Sequence, residues 1–390
     1  MYLIPDLVEE ILLRLPLNSI FKFTTVSKQW KSIMRTRRFA ERRIKLERKK
    51  KKKKPKFLAA VDHHHRSDSP RFEEIDEEIN LVYLNSYDAT TRPSLTCEGL
   101  VCIPVPGSVN VYNPCTGASI SFPSGPDPVD TRYGRRFSTC YWWNTFPAYW
   151  VMGFGRDIVN GSYKVVRMFF NQEPSSLNIG EWKRSLNPPP YNVEARRKSA
   201  FVNGSIYWLE MMERHGILAL DLHTEEFRDL PTPPVCCVSD QLVNLDDRLA
   251  IAKTDNSCGW RLEILCFDPQ GMDWSLTYSI GLETVVPSQP WQVWFRPLAV
   301  SRKGNLFFCD SEKRLFKYCP ETRVLRCIAS EICVLSPFIE DLVSLPSAFS
   351  VPETLASKFG FFKWFPPSVL FATSLVSLVL LSHFVVSSRS

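Results

Sequence analysis

Apolar residues in the first forty-five positions recur at helical spacing. Val8, Ile11, Leu12 and Leu15 fall at i, i+3, i+4 and i+7 and predict an amphipathic helix. Pro5 suits its first turn, and Asp6, Glu9 and Glu10 favour its positive end. Pro16 stops it. Asn18 or Ser19 is placed to cap a second helix carrying Ile20, Phe23 and Val26, and Ser27 a third carrying Trp30 and Ile33. Three short helices this apolar cannot bury all their faces on one another. Either a partner surface or the chain's own larger domain covers the remainder, and periodicity alone does not choose between them.

From residue 81 to 345 short strands take over. A glycine or polar turn leads into an apolar strand, and a second strand ends in an Asp, Asn or Pro turn. Gly99–Ile103 with Val111–Gly117, Asn203–Leu209 with Leu218–Thr224, Arg248–Ile251 with Leu262–Pro269, and Gly304–Phe308 with Leu315–Thr322 all follow this grammar. Gly204 to Arg248 spans 44 residues and Arg248 to Gly304 spans 56, while the 105 from Gly99 to Gly204 have room for two units. An irregular period of roughly 40–50 residues built from hairpins predicts propeller blades, with a β-sandwich as the alternative. The 13% aromatic content and 29 prolines against 16 glycines agree with a β-rich body.

Charge changes the picture locally. The net charge is +7, but eleven Lys or Arg and one acid, Glu47, lie between Arg42 and Lys56, so the rest is mildly acidic. Arg48 to Lys54 is unbroken and reads as a solvated linker or a fraying helix end, with nuclear import as its functional reading. No aromatics are interleaved for base stacking, so nucleic acid is not the expected partner. The acidic stretch from Glu73 to Glu78 offsets part of the run. His63-His64-His65 reads as a loop tract, and no metal or cofactor is expected. The twelve cysteines lack a CxxC pair and read as small buried hydrophobes in a reducing compartment, cytosol or nucleus.

No Gly-rich phosphate loop, HExxH, nucleophile elbow or Cys/His pairing marks an independent active site. Tyr141-Trp142-Trp143 and Trp291-Gln292-Val293-Trp294-Phe295-Arg296 read either as recognition loops or as buried strand residues. Residues 369–386 carry no charge over 18 positions, the short end for a membrane-spanning helix. Lys358 and Lys363 before it keep the body cytosolic if the tail is an anchor. A helix packed on the body or an extension past the domain is the other reading.

Leu3-Ile4-Pro5-Asp6-Leu7-Val8-Glu9-Glu10-Ile11-Leu12-Leu13-Arg14-Leu15-Pro16, with Ser19-Ile20, Phe23 and Val26 to Ile33, resembles the plant F-box. That resemblance implies a helical module that docks on the Skp-type adaptor of a cullin-RING ubiquitin ligase. Leu7, Ile11, Leu15 and Pro16 match family positions that face the adaptor. Val26 and Trp30 match positions that pack the module or complete that surface. Ile4 stands where the family usually has proline, and Asn18 where lysine is common. Val111-Tyr112-Asn113-Pro114, Gly153-Phe154-Gly155 with Tyr163-Lys164-Val165-Val166, Asn203 to Trp208, and Asp221-Leu222 with Glu226-Phe227-Arg228 are similar to the plant F-box-associated domain. This implies a kelch-like recognition domain in which Tyr163, Tyr207 and Trp208 are core. Arg156 stands where an aromatic commonly precedes the aspartate.

The resulting expectation is a multidomain chain. A small all-α F-box (1–45) is followed by a charged linker (46–80), an all-β propeller-like domain (81–345), a second linker (346–365) and an apolar tail (366–390) as a candidate transmembrane helix. The function implied is substrate recognition for an SCF-type ligase, without catalysis by the chain itself. Partners would be the Skp-type adaptor, the cullin and a target held at Trp142, Trp143, Trp291, Trp294 and Arg296. The alternative is a ligase-independent interaction protein, membrane-tethered or nuclear.

Overall fold

The computed structural model describes residues 4–51, 54–60, 76–84, 94–105, 108–123, 150–169, 175–178, 181–184, 189–191, 193, 198–210, 216–233, 239–255, 259–283, 285, 293–343 and 345. Four helices come first: α1 (Pro5–Arg14), α2 (Leu17–Phe23), α3 (Lys28–Met34) and α4 (Arg37–Lys51). Pro5 opens α1 as its first residue, as its fixed φ favours. Ser27 caps α3, its hydroxyl accepting from the N–H groups of Gln29 and Trp30 at 3.1 and 3.3 Å. The capping position of α2 falls before both Asn18 and Ser19. Pro16 is the capping residue, and no side chain supplies a cap bond.

The body is a ring of sheets. Blade 1 is β3 (Leu95–Cys97), β4 (Leu100–Val105), β5 (Ser108–Asn113) and β6 (Ala118–Pro123). Blade 2 is β7 (Trp150–Arg156), β8 (Tyr163–Phe169), β9 (Ser175–Asn178) and β10 (Glu181–Arg184). Blade 3 is β11 (Ala200–Val202), β12 (Ser205–Leu209), β13 (Ile217–Asp221) and β14 (Phe227–Leu230). Blade 4 is β15 (Gln241–Leu245), β16 (Arg248–Asp255), β17 (Arg261–Asp268) and β18 (Asp273–Gly281). Blade 5 is β19 (Phe295–Val300), β20 (Leu306–Asp310), β21 (Leu315–Cys319) and β22 (Val324–Ala329). Each is a four-stranded antiparallel meander in chain order. Two blades occupy the interval from Gly99 to Gly204, as its length predicted.

A three-stranded sheet completes the ring. In it β1 (Lys56–Ala60) pairs parallel with β2 (Asn80–Leu84) and antiparallel with β23 (Cys333–Pro337). The edge strand β23 touches β19 of blade 5 on one side and β3 of blade 1 on the other. Phe57 and Ala59 of β1 pack with blade 5, and Leu58 and Ala60 pack with blade 1. With both faces covered, β1 reads as a continuous apolar run rather than an alternating one. The apolar core is therefore a ring of inter-sheet interfaces, which rules out the β-sandwich.

Turn chemistry sets the register. Glu98-Gly99, Asn203-Gly204 and Asp246-Asp247 all have positive φ at both central positions, the type I′ geometry that suits a two-residue hairpin. Asn113, Asp221 and Asp268 end the third strands of blades 1, 3 and 4. Each side chain accepts a backbone N–H two residues on, at 2.8–3.0 Å.

Between blades 2 and 3 the packing explains a motif. Trp208 is fully buried and donates its indole N–H to the Met152 carbonyl at 3.0 Å. A Cβ at Gly153 would lie 2.5 Å from the Trp208 ring, so glycine is needed for the blades to approach. Tyr163 and Tyr207 are buried too, in the core role expected of them.

The segment 46–80 is not a linker where it is described. Helix α4 runs unbroken through its start, β1 and β2 belong to the closing sheet, and the propeller begins at Lys56 rather than at residue 81. Asp76 and Glu78 do not offset the basic run, because they face the propeller. Lys317 Nζ sits 2.7 Å from Asp76 and 3.2 Å from Glu78, and Lys303 is 3.3 Å from Glu78. Burial raises the Glu78 pKa, but Asn305 and the two lysines outweigh it and hold it at about 2. His63–His65 and the tail 369–386 lie outside the described residues. Among the described residues no helix is long and apolar enough to cross a membrane, and no metal-ligating cluster occurs.

Candidate functional site

The helical module divides its apolar residues between two faces. Val8, Leu12 and Leu13 of α1 join Ile20, Met34 and Phe39 in a small core. Ile4, Leu7 and Ile11 fall at i, i+3 and i+7 and stay exposed, at 68%, 50% and 42%. Phe21 and Val26 are exposed as well. The stripe expected of Val8, Ile11, Leu12 and Leu15 is thus split. Val8 and Leu12 are internal, Ile11 points outward, and Leu15 is half-buried against the core. Pro16 is exposed, whereas Trp30 is half-buried with its ring centroid 5.5 Å from that of Phe23.

Helix α4 fixes this module to the propeller. Ala40 and Ile44 enter the interface of blades 1 and 2, and Leu342 from beyond β23 reaches back to the helical core. Arg43, 1% exposed, donates to the Leu15 carbonyl at 3.0 Å and reaches Glu340 at 3.4 Å. Arg42 binds Glu9 at 2.7 Å and also pairs with Glu10 of α1. Arg48 pairs with Glu98 in the first turn of blade 1. Arg156, which stands where an aromatic is usual, donates to both Glu98 and Glu41 at 2.9 Å. Arg42, Arg43 and Arg48 of the basic run are therefore held in ion pairs, while Lys45 is exposed.

These contacts give the propeller two distinguishable ends. The helices sit beside the turns at Glu98-Gly99 and Asp157–Gly161, where the innermost strands finish. The innermost strands start at the other end. A channel of about 170 Å³ runs between them, lined by residues of every sheet. Its start carries Lys198 just before β11 and Arg296 as the second residue of β19, with Gln241, the first of β15, bonded to Arg296. Arg296 is not on an exposed loop. It is 8% exposed, its guanidinium lies 4.8 Å from the Trp294 ring centroid, and it donates to Gln241 at 3.1 Å. Trp294 is half-buried beside it, and Trp142, Trp143 and Trp291 lie outside the described residues. Lys198 was not singled out from sequence, because one lysine ahead of a short strand carries no local signal.

The chain matches two family profiles, an F-box domain over residues 3–42 and an F-box associated beta propeller domain over residues 47–325. It belongs to the F-box proteins with an F-box-associated β-propeller. An F-box/LRR-repeat protein of Arabidopsis thaliana is 45% identical over 90% of this chain and 84% of its own length. An F-box/kelch-repeat protein of the same plant is 44% identical over 88% and 84%. F-box proteins are non-catalytic adaptors, and an F-box implies binding to a Skp-type adaptor. For this F-box protein the end of the propeller where the innermost strands finish is thus the end that carries the F-box.

Proposed function

We propose that this F-box protein is the substrate-recognition subunit of an SCF-type cullin-RING ubiquitin ligase. The observation that carries the reading is the exposed apolar face of Ile4, Leu7, Ile11, Phe21 and Val26, on helices whose opposite faces form their own core. Large side chains left in water are the usual mark of a partner surface, and each one covered contributes roughly 1.5–3 kcal/mol. Leu7, Ile11, Pro16 and Val26 make that contact, while Leu15 and Trp30 brace it from within. The end of the propeller away from the F-box holds the target, with Trp294 at its rim; Trp142, Trp143 and Trp291 are proposed as further anchors from the sequence alone. A rigid α4 then presents the target at fixed geometry to the E2 carried by the cullin, and catalysis is by proximity.

Reconstitution tests this. The full chain mixed with purified Skp-type adaptor and the cullin should elute as one stoichiometric complex. A chain that elutes alone from both would leave a ligase-independent interaction protein. The basic run as a nuclear-import signal and residues 369–386 as a membrane anchor are separate proposals, read out by the location of chains lacking either segment.

A further inference from the structure

Lys198 and Arg296 line the same cavity at the start of the channel, and among the described residues these two cations have no carboxylate to neutralise them. Cys309 and Cys333 stand nearest in charge terms, and burial pushes the Cys309 thiol up to about 12, so it stays neutral. Lys198 is partly buried, and loss of hydration and then the nearby Arg296 bring its ammonium down to about 7. Unpaired charges withdrawn from water are costly unless something of opposite sign completes them.

We propose that this end of the channel is a binding site for one oxyanion, a phosphate or carboxylate group held between Lys198 and Arg296. The guanidinium is already oriented, since Gln241 accepts from one amino group and the Trp294 ring backs its plane. A planar fork fixed in this way presents its remaining N–H groups for paired contacts with an oxyanion, and the lysine adds a point charge. The cavity of about 170 Å³ has several times the space a single water needs. Asn203, Asn244, Asp247 and the Glu98–Arg48 ion pair line the other end of the channel, so the excess of positive charge lies at the Lys198–Arg296 end. Counting five residues along β11 from Lys198 to Asn203 places them roughly 16 Å apart. The anion is therefore drawn to the end away from the F-box. The site is independent of whether the chain serves a ligase.

The test is thermal unfolding of the full chain in inorganic phosphate against chloride at equal ionic strength, with acetate as a second arm. Phosphate should raise the wild-type transition in a saturable way. Lys198→Met, which keeps length and removes the charge, should weaken the apparent affinity at least tenfold. Arg296→Lys, which keeps charge and removes the fork, should weaken it several-fold and serves if the first variant folds poorly. Saturable stabilisation by acetate as well marks a site for carboxylates too, and by phosphate alone a phosphate site. A serine-phosphorylated tetrapeptide that matches free phosphate identifies a site open to protein-borne groups. No rise over chloride in the wild type, or an equal rise in Lys198→Met, overturns the proposal. Adaptor binding is scored on the wild-type sample separately, so either reading can fail without the other.

Discussion

Arg43 Nη1 lies 3.0 Å from the carbonyl oxygen of Leu15, where α1 ends, although the two residues are 28 positions apart. The same guanidinium reaches Glu340 at 3.4 Å, and Lys56 holds that carboxylate from the other side at 2.6 Å. One buried cation therefore joins the end of the first helix, the fourth helix and the segment after the last strand. It joins the F-box to the propeller beside the apolar contacts of Ala40 and Ile44 and the Arg48–Glu98 and Arg156–Glu41 pairs.

Arg43→Met should loosen that junction. The change leaves the Leu15 carbonyl without its donor while Glu340 keeps Lys56, a loss of about 1–3 kcal/mol. Chemical denaturation should show a lower midpoint. Limited proteolysis should cut within α4 faster than in the wild type, while the isolated propeller fragment keeps its transition. An unchanged midpoint and cleavage rate would show that the ion pairs around Arg42 and Arg48 suffice.

Gly153→Ala tests the approach of blades 2 and 3. The new methyl would sit 2.5 Å from the Trp208 ring and 2.9 Å from Ile206, both fully buried. Overpacking of this kind costs about 3 kcal/mol when neither neighbour can swing away. A Trp208 fluorescence shift with a lowered unfolding midpoint is the expected result, and Gly117→Ala, which meets nothing within 4 Å, is a comparison in which only backbone strain acts.

Asp341 gives the fold a pH dependence. Burial, and after it the nearby Glu98, raise its carboxyl to about 7, against the bonds from the Val343 N–H at 2.8 Å and the Tyr163 hydroxyl at 3.3 Å. The folded state thus holds a proton that the unfolded chain gives up near pH 4. Stability from this group is greatest below about pH 4 and falls as pH rises to about 7. Asp341→Asn removes the titration. It should raise the melting temperature most above pH 7 and least near pH 5, and a constant difference across that range would contradict the assignment.

How much of this was legible in the sequence follows from where the information sits. Pro5, Ser27 and the spacing of Val8, Leu12 and Ile20 act within a few residues, so the helices could be read directly. Asn203-Gly204 and the Asp221 and Asp268 turns are equally local, and their repetition gave the blades. Strand β1 was hidden because Phe57-Leu58-Ala59-Ala60 is buried on both faces and shows no alternation. The role of α4 was hidden because Arg42, Arg43 and Arg48 sit in a run of like charge, while the partners that tie them to other elements lie 28 to 297 residues away. Which side of α1 faces out could not be read from apolar spacing, since both of its faces are apolar. Arg296 looked like an interface residue by composition, and only the ring of inner strands places it in a channel.

The central claim is that the outward face of α1 is a docking surface. The direct measurement is the affinity of the full chain for the Skp-type adaptor, comparing wild type with Leu7→Asp/Ile11→Asp. Both positions are exposed, so the variant should unfold at the wild-type midpoint, unlike a change at half-buried Leu15. An aspartate carried into an apolar contact is costly at each site, so binding should fall at least a hundredfold, to the limit of detection. Wild-type affinity in a folded double variant would contradict the account and move the docking surface elsewhere.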